Sequence, residues 1–157
     1  MNKNAMIHDV VEPARKIRVL VAEDHDADVF LIREALNEQL ANFELEVLND
    51  GEKASKFVDR MTNGLERRPD VVLLDLNLPR CDGKEVLQKL RHMPGGESVP
   101  VVIITSSDSP RDREEVARLG ASCYFRKSSD LNEFMQLGKV VNDLLRDQGW
   151  TGSASID

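Results

Sequence analysis

Each apolar run in this chain stops at a group that carries chemistry. Val19-Leu20-Val21-Ala22 ends in Glu23-Asp24, Val71-Val72-Leu73-Leu74 in Asp75, and Val101-Val102-Ile103-Ile104 in Thr105; the mixed run Cys123-Tyr124-Phe125-Arg126 leads to Lys127. Short apolar runs without alternation predict strands buried on both faces, as in a parallel sheet. Strands are expected over 17–22, 70–74, 99–105 and 122–125. Phe43, Leu45 and Val47 alternate instead and predict one more strand, stopped by Asn49-Asp50-Gly51.

Between the strands the apolar period lengthens to that of a helix. Asp26 is placed to cap a first helix carrying Val29, Ile32, Leu36 and Leu40, and a second helix over 52–61 buries Ala54, Phe57, Val58 and Met61. A third carries Val86, Leu87 and Leu90 and stops at Pro94-Gly95-Gly96; a fourth carries Val116 and Leu119 and closes on Gly120 as a left-handed cap. The last spans 130–146 with a broad apolar stripe of Leu131, Phe134, Leu137, Val141 and Leu144 or Leu145. Five strands alternating with five helices imply right-handed crossovers and helices on both faces of a parallel sheet. Ligands of such sheets sit beyond the carboxyl ends of the strands, where strand order reverses. Residues 1–16 read as a flexible lead, 17–147 as one domain, and 148–157 as a tail holding the only tryptophan, Trp150.

At 157 residues, 41% hydrophobic and 31% charged, the chain suits one soluble globular domain. No apolar stretch approaches the roughly 20 residues that span a bilayer, and the first residues contain no signal-peptide core, so a cytoplasmic protein and no membrane contact are expected. The net charge of −7 argues against nucleic-acid binding. Cys81 and Cys123 lack metal or redox spacing.

The strand ends gather three acids, a hydroxyl and an amine. Alone, each residue has an ordinary explanation. An aspartate after a strand is commonly a turn or cap, threonine is a common strand residue, and an isolated lysine is usually solvated. Together they suit a divalent cation beside a phosphoryl group on one carboxylate, because phosphoryl transfer requires positioning and neutralisation of spread negative charge. Magnesium prefers oxygen ligands and retains waters, and a lysine ammonium acts as a compact point charge. His25 adjoins the acids and is read as a rim residue.

Glu23-Asp24, Asp75-Leu76-Asn77-Leu78-Pro79 with Asp82-Gly83, Thr105, and Gly120-Ala121 with Tyr124 and Lys127 resemble the receiver domain of bacterial two-component response regulators, over about residues 17–146. Residues 73–87 and the long connection before the third strand look most like small standalone regulators that partner bacterial phytochrome kinases. The resemblance implies an α/β fold of the flavodoxin-like (βα)5 type, a doubly wound parallel sheet in strand order 2-1-3-4-5. It implies Asp75 as phosphoacceptor. Mg²⁺ would be held by Asp24, Asp75 and the Asn77 carbonyl, with Glu23 acting through water. Thr105 and Lys127 would bind phosphoryl oxygens, and Thr105 with Tyr124 would form the switch. Ser128 departs from the pattern, standing where many receivers have proline.

The expected function is therefore a single-domain response regulator that accepts a phosphoryl group from a histidine kinase, of the phytochrome type, and switches a protein-interaction surface. It is not expected to be an enzyme. A phosphorelay intermediate or phosphate sink is the nearest alternative. A flavodoxin-like carrier would need a phosphate-cradling loop where Glu23-Asp24-His25-Asp26 stands, and an aspartate phosphatase a second acid where Asn77 stands. The stripe on the last helix and Trp150 further predict a homodimer on the face of the fourth helix, fifth strand and fifth helix. The short stretch after that helix predicts output by protein contact.

Overall fold

The computed structural model describes residues 15–149. Five parallel strands, β1 (Ile17–Ala22), β2 (Phe43–Leu48), β3 (Val71–Asp75), β4 (Val101–Thr105) and β5 (Cys123–Arg126), form one sheet in the order β2-β1-β3-β4-β5. They alternate with α1 (Asp26–Gln39), α2 (Gly51–Thr62), α3 (Gly83–His92), α4 (Pro110–Arg118) and α5 (Leu131–Asp147). The expected fold class and strand order are those observed.

Period-two alternation divides the core between the two faces of the sheet. Leu20, Ala22, Val72, Leu74, Val101 and Ile103 pack with Phe57 of α2, Leu87 of α3 and Val116 of α4. Val19, Val21, Leu73, Val102 and Ile104 pack with Ile32 and Leu36 of α1 and Leu137 and Val141 of α5. Both faces of the three central strands are thus covered, which explains their unbroken apolar runs.

Local chemistry sets the element ends. Asp50, Asp82, Ser109 and Asp130 each accept a hydrogen bond from a backbone N–H in the first turn of the following helix. Asp26 does not cap α1: it is already helical, and the cap position belongs to His25, which makes no capping bond because its ring nitrogen faces Glu23 and Asp24. The third strand includes Asp75 and begins at Val71, and the fourth begins at Val101, two residues later than expected. Pro100 has no N–H for the ladder, although its carbonyl accepts from Val72 N at 2.9 Å.

The apolar stripe of α5 is consumed by its own fold. Phe134, Leu137, Val141 and Leu145 are buried, and only Leu131 stands exposed among the large ones. Any Cβ on Gly138 would overlap the Ala35 carbonyl, so α5 lies directly against α1 as well as on the sheet. Leu131 aside, the expected surplus of apolar surface on α5 is therefore taken up within the fold. Trp150, the other ground for a dimer, lies outside the described residues.

Candidate functional site

Register brings the strand ends level. Ala22 pairs with Leu74, Asp75 with Ile104, and Thr105 with Arg126, so the residues that follow emerge at one edge of the sheet. The order reverses between β1 and β3, because β1 pairs with both β2 and β3. Asp75 closes β3 inside this crevice with its side chain 4% exposed. Its Oδ1 accepts from the backbone N–H of Asn77 at 3.0 Å, which folds the exit loop back toward the carboxylate. Gly83 seals the other end of that loop. Its N–H donates to Leu76 O, and a Cβ there would collide with the Asp75 carbonyl.

Lys127 is the electrostatic centre. Its Nζ lies 2.7 Å from Glu23 Oε1, 2.9 Å from Asp28 Oδ2 and 3.0 Å from Asp75 Oδ2. Burial alone would lower the ammonium pKa, but the three carboxylates outweigh it and hold the pKa above its ordinary value. Burial likewise pushes the Glu23 carboxyl up; Lys127 opposes this and the Asp75 charge adds to it. The backbone N–H of Lys127 donates to Thr105 O at 2.7 Å, carrying the ladder one residue past β5. No peptide among the described residues is cis, so the Lys127–Ser128 bond is trans. In place of a proline ring, Ser128 offers a hydroxyl that donates to Glu133 and accepts from Asp130 N, ordering the entry to α5.

Glu23, Asp24, His25 and Asp75 each aim one ligand atom into a cluster in which all lie within 4.8 Å of one another. Asp24 Oδ1 is buried and accepts no hydrogen bond, a deficit that a cation would relieve. Carboxylate oxygens on a short crevice fit a hard divalent ion. His25 is exposed, as a rim residue is, yet its Nδ1 lies 3.3 Å from Glu23 Oε2 and 3.5 Å from Asp24 Oδ1. The bond to Glu23 and the charges of Asp24 and Glu23 raise its pKa.

Thr105 is fully buried, and its Oγ1 accepts from Ser107 N at 3.2 Å. The Tyr124 hydroxyl donates to Ser107 O at 2.9 Å, so one residue receives both expected switch groups. The Arg113 guanidinium covers the tyrosine ring, 4.3 Å from its centroid. Ser107 Oγ also donates to Asp112, and Asp112 and Glu115 of α4 each hold Lys84 Nζ at 2.8 Å. Lys84 is the second residue of α3, just after the loop that leaves Asp75.

The crevice thus unites Glu23, Asp24, Asp75 and Lys127, with Asn77 meeting Asp75 through its backbone and Thr105 one strand away. Sequence reasoning overlooked Asp28 and the Lys84 network. Asp28 was visible as the acid heading a helical column whose next members, Ile32 and Ala35 or Leu36, are all buried. A cavity of about 330 Å³ lined by Arg15, Arg68, Asp70, Ser98 and Leu145 contains none of these groups.

Residues 19–139 match the family model described as the response regulator receiver domain. The chain is 35% identical over 120 residues to Response regulator Rcp1 of Synechocystis, covering 76% of this chain and 82% of that protein. The phosphorylated cyanobacterial phytochrome response regulator RcpA superposes with a TM-score of 0.76 at 31% identity, over 87% of this chain and 98% of that one. A Mn²⁺-bound form of Rcp1 gives 0.72 at 32% identity, over 83% and 93%.

Proposed function

Because this chain belongs to the response regulator receiver family, we propose that it accepts a phosphoryl group on Asp75 from a histidine kinase, of the phytochrome type, and thereby switches a protein-interaction surface. The observation that carries this reading is the Lys127 ammonium held beside the Asp75 carboxylate in a crevice of further acids. In the transfer, the P–N bond of the donor phosphohistidine breaks as a P–O bond to Asp75 forms, and the freed imidazole takes a proton from solvent. Lys127 neutralises one phosphoryl oxygen and the Thr105 hydroxyl bonds another.

Asp24, Asp75 and the Asn77 carbonyl would hold Mg²⁺, with Glu23 acting through water. The ion would supply charge neutralisation between the carboxylate and the phosphoryl group. On this reading the protein is a cytoplasmic switch and not an enzyme. Its net charge of −7 disfavours nucleic acid, and among the described residues no helix is long and apolar enough to cross a membrane. The meeting of Thr105 and Tyr124 at Ser107 supports output through the α4–β5–α5 face.

Presenting the protein with autophosphorylated histidine kinases tests the proposal. Label should pass to the wild type from at least one kinase and never to Asp75→Asn; transfer to both would refute it. A homodimer now depends on Trp150. Sedimentation of the whole chain against one ending at residue 146 tests that part: a dimer lost on truncation supports it, and two monomers remove it.

A further inference from the structure

One carboxylate on Lys127 belongs neither to the phosphoacceptor nor to the acid pair that follows β1. Asp28, in the first turn of α1, meets Lys127 Nζ at 2.9 Å. It is not among the groups that converge as ligand atoms, which are Glu23, Asp24, His25 and Asp75. Its side chain is 27% exposed, whereas those of Glu23 and Asp75 are 0% and 4% exposed. Of the three acids on the ammonium, Asp28 is the one most open to solvent.

Resting on the phosphoacceptor reading of Asp75, we propose that Asp28 is a positioning residue that restrains phosphorylation: it holds the Lys127 ammonium in the resting protein and competes for it with the incoming phosphoryl group. An ammonium has three N–H donors and no acceptor, and three carboxylates surround this one. A phosphoryl oxygen gains Lys127 only as a carboxylate yields. Glu23 is sealed from solvent and also accepts the backbone N–H of His25 at 3.1 Å. Asp75 is the nucleophile. Asp28, whose carboxylate bonds only Lys127 among the described residues, is the contact free to be exchanged. Its negative charge beside the entry also repels an anionic donor. Asp28 forms and breaks no covalent bond. With acetyl phosphate as donor, the P–O bond to acetate breaks and the P–O bond to Asp75 forms.

The plain alternative is an acid at a helix N-terminus that serves only the α1 dipole. Initial rates of Asp75 labelling at saturating Mg²⁺ separate the two, using the full chain as wild type, Asp28→Asn and Asp28→Glu. Two donors are compared: acetyl phosphate, a dianion, and phosphoramidate, a monoanion. Asparagine keeps an acceptor for Lys127 and removes the charge. Asp28→Asn should label about three- to tenfold faster with acetyl phosphate, with a smaller gain for phosphoramidate. Asp28→Glu should return toward the wild-type rate. Magnesium titration should give Asp28→Asn an affinity within about twofold of wild type, since Asp28 lies outside the ligand cluster. An unchanged or slower rate with acetyl phosphate overturns the proposal, whereas an equal gain with both donors supports competition for Lys127 and removes only the repulsion of the donor. A wild type that binds Mg²⁺ but takes no label at Asp75 overturns the phosphoacceptor reading itself, and this inference with it.

Discussion

Lys127 Nζ and Asp75 Oδ2 lie 3.0 Å apart although 52 residues separate them in sequence and β4 stands between their strands. The lysine stem spans that intervening strand, so an opposite charge already waits at the candidate phosphoacceptor before any phosphoryl group arrives. The same arrangement makes Lys127 structural. Its side chain is 9% exposed and offsets the mutual repulsion of three acids.

Lys127→Met should therefore destabilise the metal-free protein by about 2–4 kcal/mol, because breaking a buried ion pair leaves its partners uncompensated. Urea denaturation with and without Mg²⁺ checks this. The variant should gain more from Mg²⁺ than the wild type does, since the cation replaces the missing positive charge. Asp75→Asn should act in the opposite direction and raise metal-free stability by about 1 kcal/mol, through relief of like-charge repulsion.

Stability without metal should fall as pH rises above the ordinary values of Glu23, 4.5, and then of His25, 6.5. The folded-state pKa of Glu23 lies above its ordinary 4.5, chiefly through burial. Its contribution is complete below that ordinary value and is lost as pH rises through the folded one. The exposed His25 imidazole is held above 6.5 by its bond to Glu23 and the nearby carboxylates, and it adds a loss of the same sign at higher pH. Melting temperatures in chelator across this range should slope downward for wild type and less steeply for Glu23→Gln. Equal slopes would contradict the assignment.

Tyr124 is the only tyrosine of the chain, so 3-fluorotyrosine places a single fluorine reporter at the expected switch. Phosphorylation at Asp75 should move its resonance, because Thr105 and Tyr124 share Ser107 as a partner. Thr105→Ala should still gain phosphate, yet shift the resonance less. A full shift in Thr105→Ala would disconnect the hydroxyl from the ring.

The fold was legible because β1, β3 and β4 are covered on both faces and announce themselves as apolar runs, while four of the five helices begin at a short polar cap. Glu23, Asp24, Asp75, Thr105 and Lys127 were legible for a related reason: they sit where those runs stop. Asp28 and Lys84 escaped because each lies on a helix surface, where charged residues are ordinary. Only the approach of α1 to the residue that follows β5, and of Lys84 to α4, reveals what they touch. The stripe on α5 was misjudged because the sequence does not tell how much of a helix a second helix will cover, and here α1 approaches as far as Gly138 permits.

The Lys84 bridge should tie α3 to α4 in a pH-dependent way. Asp112 and Glu115 are both held below their ordinary values of 3.8 and 4.5 by the Lys84 ammonium. Their contribution is present above those values and is lost as pH falls through the lowered folded ones. Lys84→Met should lower the melting temperature by about 3 °C near neutral pH, and by progressively less as acid protonates the two carboxylates below their ordinary values. A deficit that persists in acid would assign the loss to packing of the lysine stem.

The identity of the phosphoacceptor is tested most directly by chemical trapping. The protein is phosphorylated in Mg²⁺ by a phosphorylated histidine kinase or acetyl phosphate, the acyl phosphate is reduced with borohydride, and peptide mass analysis locates the reduced residue. The modification is predicted at Asp75 alone, lost on chelation of Mg²⁺ and absent from Asp75→Asn. A modified Asp24, Asp28 or Asp82 in place of Asp75, or labelling undiminished in Asp75→Asn, would contradict it.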